Sequence, residues 1–257
     1  MRDLLAAEWI KLWSLRSTAV MVLGAVFLGA SSTVFLAGHV FLTPEGKATF
    51  DPSNIEFNSG VWSALMIGAA CVGAVAMTGE YGSGLIRTTL VAVPSRARVV
   101  VAKALALVVA SAVVGAVLTA VMYGIARAEL SSSGVHAWLP TPTLIRSLLA
   151  ALFALPVSTV IGLAFGTLIR HPAGACLAVV GFLAGVPDLL RTQGRGVQAD
   201  ISNALPYHAW GALIGQIPDS NVHPLQPPTV AQSWVWMAAW PLAAVATAVL
   251  VLGKRDL

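Results

Sequence analysis

Apolar residues in this chain fall in long unbroken blocks, with polar residues collected between them. A helix crossing a bilayer needs about 20 mostly apolar residues, because each residue advances about 1.5 Å through a hydrocarbon layer of about 30 Å. Six blocks meet that length: 18–38, 60–78, 99–126, 144–169, 173–190 and 234–252. The third carries Lys103 near its start, the fourth has Pro156 in its middle followed by Ser158 and Thr159, and the fifth is short and follows Pro172. The pattern predicts an all-α polytopic membrane protein of six transmembrane helices. The first block is longer than the apolar core of a cleaved signal peptide and reads as a retained span.

The polar stretches have patterns of their own. In 1–17, Leu5, Trp9, Leu12 and Trp13 recur at helical spacing among Asp3, Lys11 and Arg16. This predicts an N-terminal amphipathic helix lying in the membrane interface, the alternative being a short charged leader that only fixes orientation. Segment 79–98 connects spans two and three. Gly79, Gly82 and Gly84 beside Glu80 allow a tight turn, Leu85, Ile86, Thr89 and Leu90 can form one face of a short helix, and Pro94-Ser95 would end it. Glu80, Arg87, Arg96 and Arg98 then face water or a partner; a membrane-hugging turn and a docking site are equally open. Segment 191–233 is too long for an unstructured loop, and its apolar residues between Ile201 and Ile217 predict short helices dipping into the membrane.

Composition sharpens this reading. The 257 residues are 57% hydrophobic and 10% charged, with a mean hydropathy of +0.82. Soluble domains carry about 25% charged residues. The net charge of +4 is distributed by topology. With both termini in the cytoplasm, the inner face holds ten basic and four acidic residues, a balance of +6, and the outer face holds five and seven, a balance of −2. Lys and Arg resist translocation, so this orientation is the expected one, and the positive charge needs no nucleic acid to explain it. Trp9 and Trp13 fall at the inner interface, and Trp62, Trp234 and Trp236 at outer span ends.

Catalytic patterns are absent. The chain has no G-x-x-x-x-G-K-[ST], no H-E-x-x-H and no G-x-S-x-G, and its linkers leave no room for a nucleotide-binding domain. Cys71 and Cys176 lie in apolar blocks and suit packing, and the five histidines lack metal-ligand spacing. Tyr207, His208 and Asp200 are the loose candidates for a lipid-modifying membrane enzyme; an ATP-independent channel or carrier is disfavoured by the uncharged span centres. Gly162…Gly166 and Gly181…Gly185 fit small-residue helix packing.

Three features together resemble the permease subunits of ABC transporters of the ABC-2, or type V exporter, class, especially small actinobacterial ones. Ala7-Glu8-Trp9-Ile10-Lys11-Leu12 with Ser14-Leu15-Arg16-Ser17-Thr18 looks like that family's connecting helix. Glu80-Tyr81-Gly82-Ser83-Gly84-Leu85-Ile86-Arg87-Thr88-Thr89-Leu90 looks like its coupling segment, and the six-span layout with a long segment before span six matches. The resemblance covers essentially the whole chain, as one transmembrane domain, 1–257. It implies a subunit without catalysis of its own in a bacterial plasma membrane, paired with a second permease copy, identical or related. Two ATPase subunits would bind ATP and Mg²⁺ and grip Glu8, Lys11, Arg16, Glu80, Tyr81, Gly84, Arg87 and Thr88. Tyr207, Trp210 and Leu213 would stand near an outer gate, although Pro206 and Pro218 bracket that segment where relatives have a clearer hairpin. The cargo would be a hydrophobic or amphipathic compound.

Overall fold

The computed structural model describes residues 2–14, 16–40, 57–93, 95–132, 141–193, 197–215 and 228–254. Every element among them is helical: α1 (Arg2–Ser14), α2 (Arg16–Val40), α3 (Ser59–Gly82), α4 (Leu85–Ala92), α5 (Arg96–Ser132), α6 (Thr141–Ile169), α7 (Pro172–Val180), a π segment (Gly181–Gly185), α8 (Val186–Gln193), α9 (Val197–Ala204), α10 (Pro206–Leu213) and α11 (Val230–Lys254). Five of these, α2, α3, α5, α6 and α11, are long and apolar enough to cross a membrane.

The expected fifth span, 173–190, takes a different form. Its apolar helix runs only from Pro172 to Gly185, and the backbone widens to a π turn at Gly181–Gly185 before α8 begins. Pro172 starts the helix because its missing N–H costs nothing in a first turn. Pro187 removes another N–H at the start of α8, a lesion that wider π turns commonly accommodate.

The centre of the bundle is α6, 72% of whose apolar window is buried, against 11% for α2. It packs on α3, α5, α7 and α11. Small residues make this possible. A β-carbon at Gly162 would sit 1.7 Å from the Ala70 carbonyl oxygen, and one at Gly73 would sit 1.9 Å from that of Thr159. Gly166 meets Ala74 in the same way, one turn on. The backbones of α3 and α6 therefore touch along two turns, a contact only glycine permits. The second glycine pattern behaves otherwise: a β-carbon at Gly181 or Gly185 would meet nothing within 4 Å. Those residues belong to the π turn and not to a helix crossing.

Pro156 is absorbed inside α6. It cannot donate to the Leu152 carbonyl, and that oxygen faces Gly115 of α5, where a β-carbon would come within 3.1 Å. Ser158 and Thr159 return their hydroxyls to the carbonyls of Ala154 and Leu155 at 2.8 Å. Both side chains are buried without breaking the apolar core.

At the end of the bundle away from α1, the short helices α9 and α10 close over the core. Arg146 Nε donates to the Leu213 carbonyl at 2.7 Å, and Trp240 Nε1 to that of Ala204 at 2.7 Å. Trp62 was expected at an interface; it is fully buried instead, its ring 5.7 Å from that of Trp210. Hydropathy placed it at a span end, but α9 and α10 cover that end. Trp234 keeps one side toward the core against Phe153, and Trp236 is exposed.

Gly162→Ala should force α3 and α6 apart and destabilise the bundle by about 1–3 kcal/mol, the usual range for overpacking. Gly181→Ala should be neutral or slightly stabilising. Thermal unfolding of the two purified variants in one detergent checks the contrast.

Candidate functional site

The polar chemistry concentrates where α1, α3 and α5 meet. Glu8 lies midway along α1, Glu80 in the last turn of α3, and Lys103 two turns into α5. All three are at most 5% exposed. Lys103 Nζ donates to Glu8 Oε2 at 2.5 Å and to Glu80 Oε1 at 2.8 Å. Lys11 Nζ donates to Glu8 Oε1 and to the same Glu80 oxygen, each at 2.8 Å. Two carboxylates and two ammonium groups thus form one closed, neutral quartet linking three helices.

The members are not equivalent. Lys11 keeps 40% of its side chain exposed, while the other three have 5–7%. Burial pulls the Lys11 ammonium toward a lower pKa, but hydrogen bonds and charge from Glu8 and Glu80 outweigh it and hold the pKa above the ordinary lysine value. Glu80 Oε1 accepts from both lysines, whereas Glu80 Oε2 is enclosed and accepts nothing among the described residues.

Against the expected stripe of Leu5, Trp9, Leu12 and Trp13, α1 divides: Leu5 and Leu12 are half-buried and Trp9 is exposed, while the side chain of Trp13 lies outside the described residues. Its packed side mixes charge with leucine, Glu8 buried and Lys11 and Leu12 partly so, while Trp9 and Ile10 are 40% and 67% exposed. Helical spacing alone could not say which stripe turns inward; the buried partners on α3 and α5 decide it.

Neighbouring contacts brace the same end. The Arg170 guanidinium stacks 4.8 Å above the Tyr81 ring. Arg170 is also the one described non-glycine residue with a positive φ, 58°, at the junction of α6 and α7. Arg96 Nη1 donates to the Leu252 carbonyl at 2.7 Å, tying the start of α5 to the end of α11. Between α3 and α4, Ser83 N donates to the Gly79 carbonyl, and Gly84 takes φ +72°, a left-handed conformation that suits a residue without a β-carbon. The turn leads straight from Glu80 into α4.

Of the eight residues expected to couple to a partner, the structure joins Glu8, Lys11 and Glu80 in the quartet. Tyr81 lies beside it under Arg170, and Gly84 makes the turn. Thr88 is exposed on α4, its hydroxyl bonded to the Leu85 carbonyl. The side chains of Arg16 and Arg87 lie outside the described residues, as do Pro218 and Ile217 of the far segment. Glu8 and Glu80 are interior groups in this chain, each 5% exposed. Lys103, which the sequence places near the start of the third span, is the quartet's most enclosed cation. A lysine eight residues into a long apolar helix was the available signal, since a cation enclosed there needs a carboxylate partner.

The remaining candidates divide. Trp210 and Leu213 are fully buried in the core and Tyr207 is partly so. Ser202 Oγ lies 2.8 Å from His208 Nδ1, an approach absent from the sequence reading. Ser202 is completely buried, and the same nitrogen lies 2.9 Å from the Ser202 carbonyl. The pair closes the α9–α10 corner and offers no reachable nucleophile. Asp200 is exposed on α9. Cys71 and Cys176 are free thiols, and no group of three metal-ligating side chains occurs among the described residues.

A cavity of about 690 Å³ opens beside the quartet, between α1, α2, α3 and α5. Glu8, Lys11, Glu80 and Lys103 line one end, and Val72, Val75 and Leu107 line the rest. It continues into an apolar cavity of about 310 Å³; Leu12, Met21, Gly68, Val72 and Leu107 border both.

The chain matches no family model, and no curated protein matches it.

Lys103→Met should leave two buried carboxylates with one half-exposed cation and cost about 3–5 kcal/mol. Adding Glu80→Gln should recover part of that loss, because the pair removed together leaves Glu8 with Lys11. A double-mutant cycle on unfolding in detergent measures the coupling; simple additivity would show that Lys103 and Glu80 do not act as a pair.

Proposed function

We propose that this chain is the membrane-spanning subunit of an ATP-driven exporter of the ABC-2 class, working as a dimer above two separate ATPase subunits that hold ATP and Mg²⁺. The quartet supports this reading best. It ties α1, which takes the place of a connecting helix, to the end of α3, which turns through Gly84 into α4, the place of a coupling helix. Lys103 carries the tie into α5, a helix of 37 residues that spans the bundle. A force applied beneath α1 and α4 would meet a joint of short charge-assisted hydrogen bonds, not a flexible loop.

On this reading the chain crosses a bacterial plasma membrane six times, with α7, the π segment and α8 together as the fifth crossing. Both termini and the quartet face the cytoplasm, consistent with the charge balance of +6 on that side. The ATPase would grip the exposed side of α4, including Thr88, while Glu8 and Glu80 pass movement inward. An ATP-independent carrier is the second reading, since buried ionisable groups often serve as relays. The quartet is neutral and closed and joins three helices near one end of the bundle, which suits a joint better than a relay.

Co-expression with an ABC ATPase encoded beside this chain, followed by purification through a tag on this chain, tests the proposal. The ATPase should co-purify in equal amount. Thr88→Trp, at an exposed position, should reduce its recovery about tenfold while membrane insertion persists. Lys103→Met with Glu80→Gln should keep the complex but disconnect ATP hydrolysis from transport. Failure of every such ATPase to co-purify would overturn the reading.

A further inference from the structure

The cavity beside the quartet has the make-up of a ligand site. Its joined volumes fall in the range of about 300–1,000 Å³ common for small-molecule pockets. One end is ionic and the other wholly apolar in character. The deeper part contains two hydroxyls, and both are spent within their own helices: Ser111 on the Leu107 carbonyl at 2.6 Å, Thr159 on that of Leu155 at 2.8 Å. Along α3 from Glu80 to Leu65 the groove extends for about 22 Å at 1.5 Å per residue. An occupant matching this shape has one polar head and one long apolar tail.

The head's charge follows from the quartet. Glu8, Glu80 and Lys103 are fixed in the interior, and Lys11 is the half-exposed fourth member, at the cavity. Without the Lys11 ammonium the remaining three carry a net charge of −1, inside a wall of low polarity where charge is costly to leave unmatched. The buried Glu80 also has an oxygen, Oε2, with no donor among the described residues. An anionic head would meet two carboxylates there. A primary ammonium would meet the geometry that Lys11 already demonstrates, 2.8 Å from Glu8 Oε1 and Glu80 Oε1, and has a third N–H for Oε2 once the carboxylate turns toward it.

We propose that the groove binds an amphipathic amine, whose ammonium head replaces that of Lys11 against Glu8 and Glu80 while its alkyl tail lies between α2, α3 and α5. Lys11 is then a tethered stand-in that fills the site when it is empty and swings out when it is occupied. The proposal concerns binding to this chain alone and does not depend on the exporter reading.

Equilibrium binding of radiolabelled dodecylamine to the full chain in phosphatidylcholine nanodiscs tests it, with empty nanodiscs as background. Saturable binding of one amine per chain is expected. Lys11→Met should tighten it about tenfold by removing the internal competitor, and Glu80→Gln should weaken it by a similar factor. Leu28→Trp, which fills the tail cavity from a position 46% exposed, should abolish it without touching the quartet. Dodecyltrimethylammonium, which has no N–H, and laurate, which is anionic, should compete poorly. Binding no greater than to empty nanodiscs would overturn the proposal. So would equal competition by laurate, or an unchanged affinity in both Lys11→Met and Leu28→Trp.

Discussion

Charge withdrawn from water is stable only when it is matched on every side, and that requirement organises one end of this protein. Glu8, Glu80 and Lys103 are each almost wholly enclosed, and each is intolerable there without the others. They come from three helices separated by 72 and 23 residues in sequence. Their meeting therefore specifies how α1 sits on α3 and α5, in a region where apolar contact alone would let helices slide. Lipid-facing helices gain little from burying one apolar surface against another, because the bilayer is equally apolar. A polar joint supplies the register that hydrophobicity cannot.

Elsewhere the register comes from backbone contact. Gly73, Gly162 and Gly166 let α3 and α6 approach until a β-carbon would overlap a carbonyl oxygen. Dispersion contacts of that closeness favour protein over lipid, which cannot follow the backbone's relief. The bundle is thus fixed twice, by backbone contact through α3 and α6 and by charge at the end where α1 docks. α2 shares in neither device and remains the least buried of the long helices. The groove beside the quartet exists for that reason: α2 packs on α5 and stands off α3, leaving a gap walled by Gly68, Val72 and Met21.

How much of this was legible follows from which interactions are local. Length and hydropathy are local, so the long helices could be read directly, with boundaries such as 60–78 falling inside Ser59–Gly82. The break in the expected fifth span was signalled by Pro172 and Pro187, but a continuous apolar window hides a π turn. Gly162 and Gly181 open identical motifs, and only the first meets a backbone; a spacing cannot say which helix stands opposite. Trp62 looked like an interface residue because nothing local announces that α10 will cover it. Glu8, Lys11 and Glu80 were singled out by likeness to a motif and assigned to a surface. Lys103, the residue that draws them inward, had no motif around it, because its partners lie on other helices.

The same geometry argues about what a joint of this kind can transmit. Glu80 shares one oxygen between two lysines while its other oxygen has no described donor. A carboxylate in that state is held by one edge and can rotate about it without first breaking both bonds. Lys11, half-exposed, can leave while Lys103 stays. The quartet is closed by Lys11 in this structure; the proposed amine site requires a second arrangement, open to the cavity, that small movements would reach. Because Glu8 and Glu80 sit on α1 and α3, exchanging the fourth cation changes the load on both helices at once. A ligand head that favours the open arrangement shifts that equilibrium only by its difference in affinity for the two. A charge joint with a replaceable member would thus couple the occupancy of the groove to the seating of α1, through contacts that all lie within one quartet of side chains.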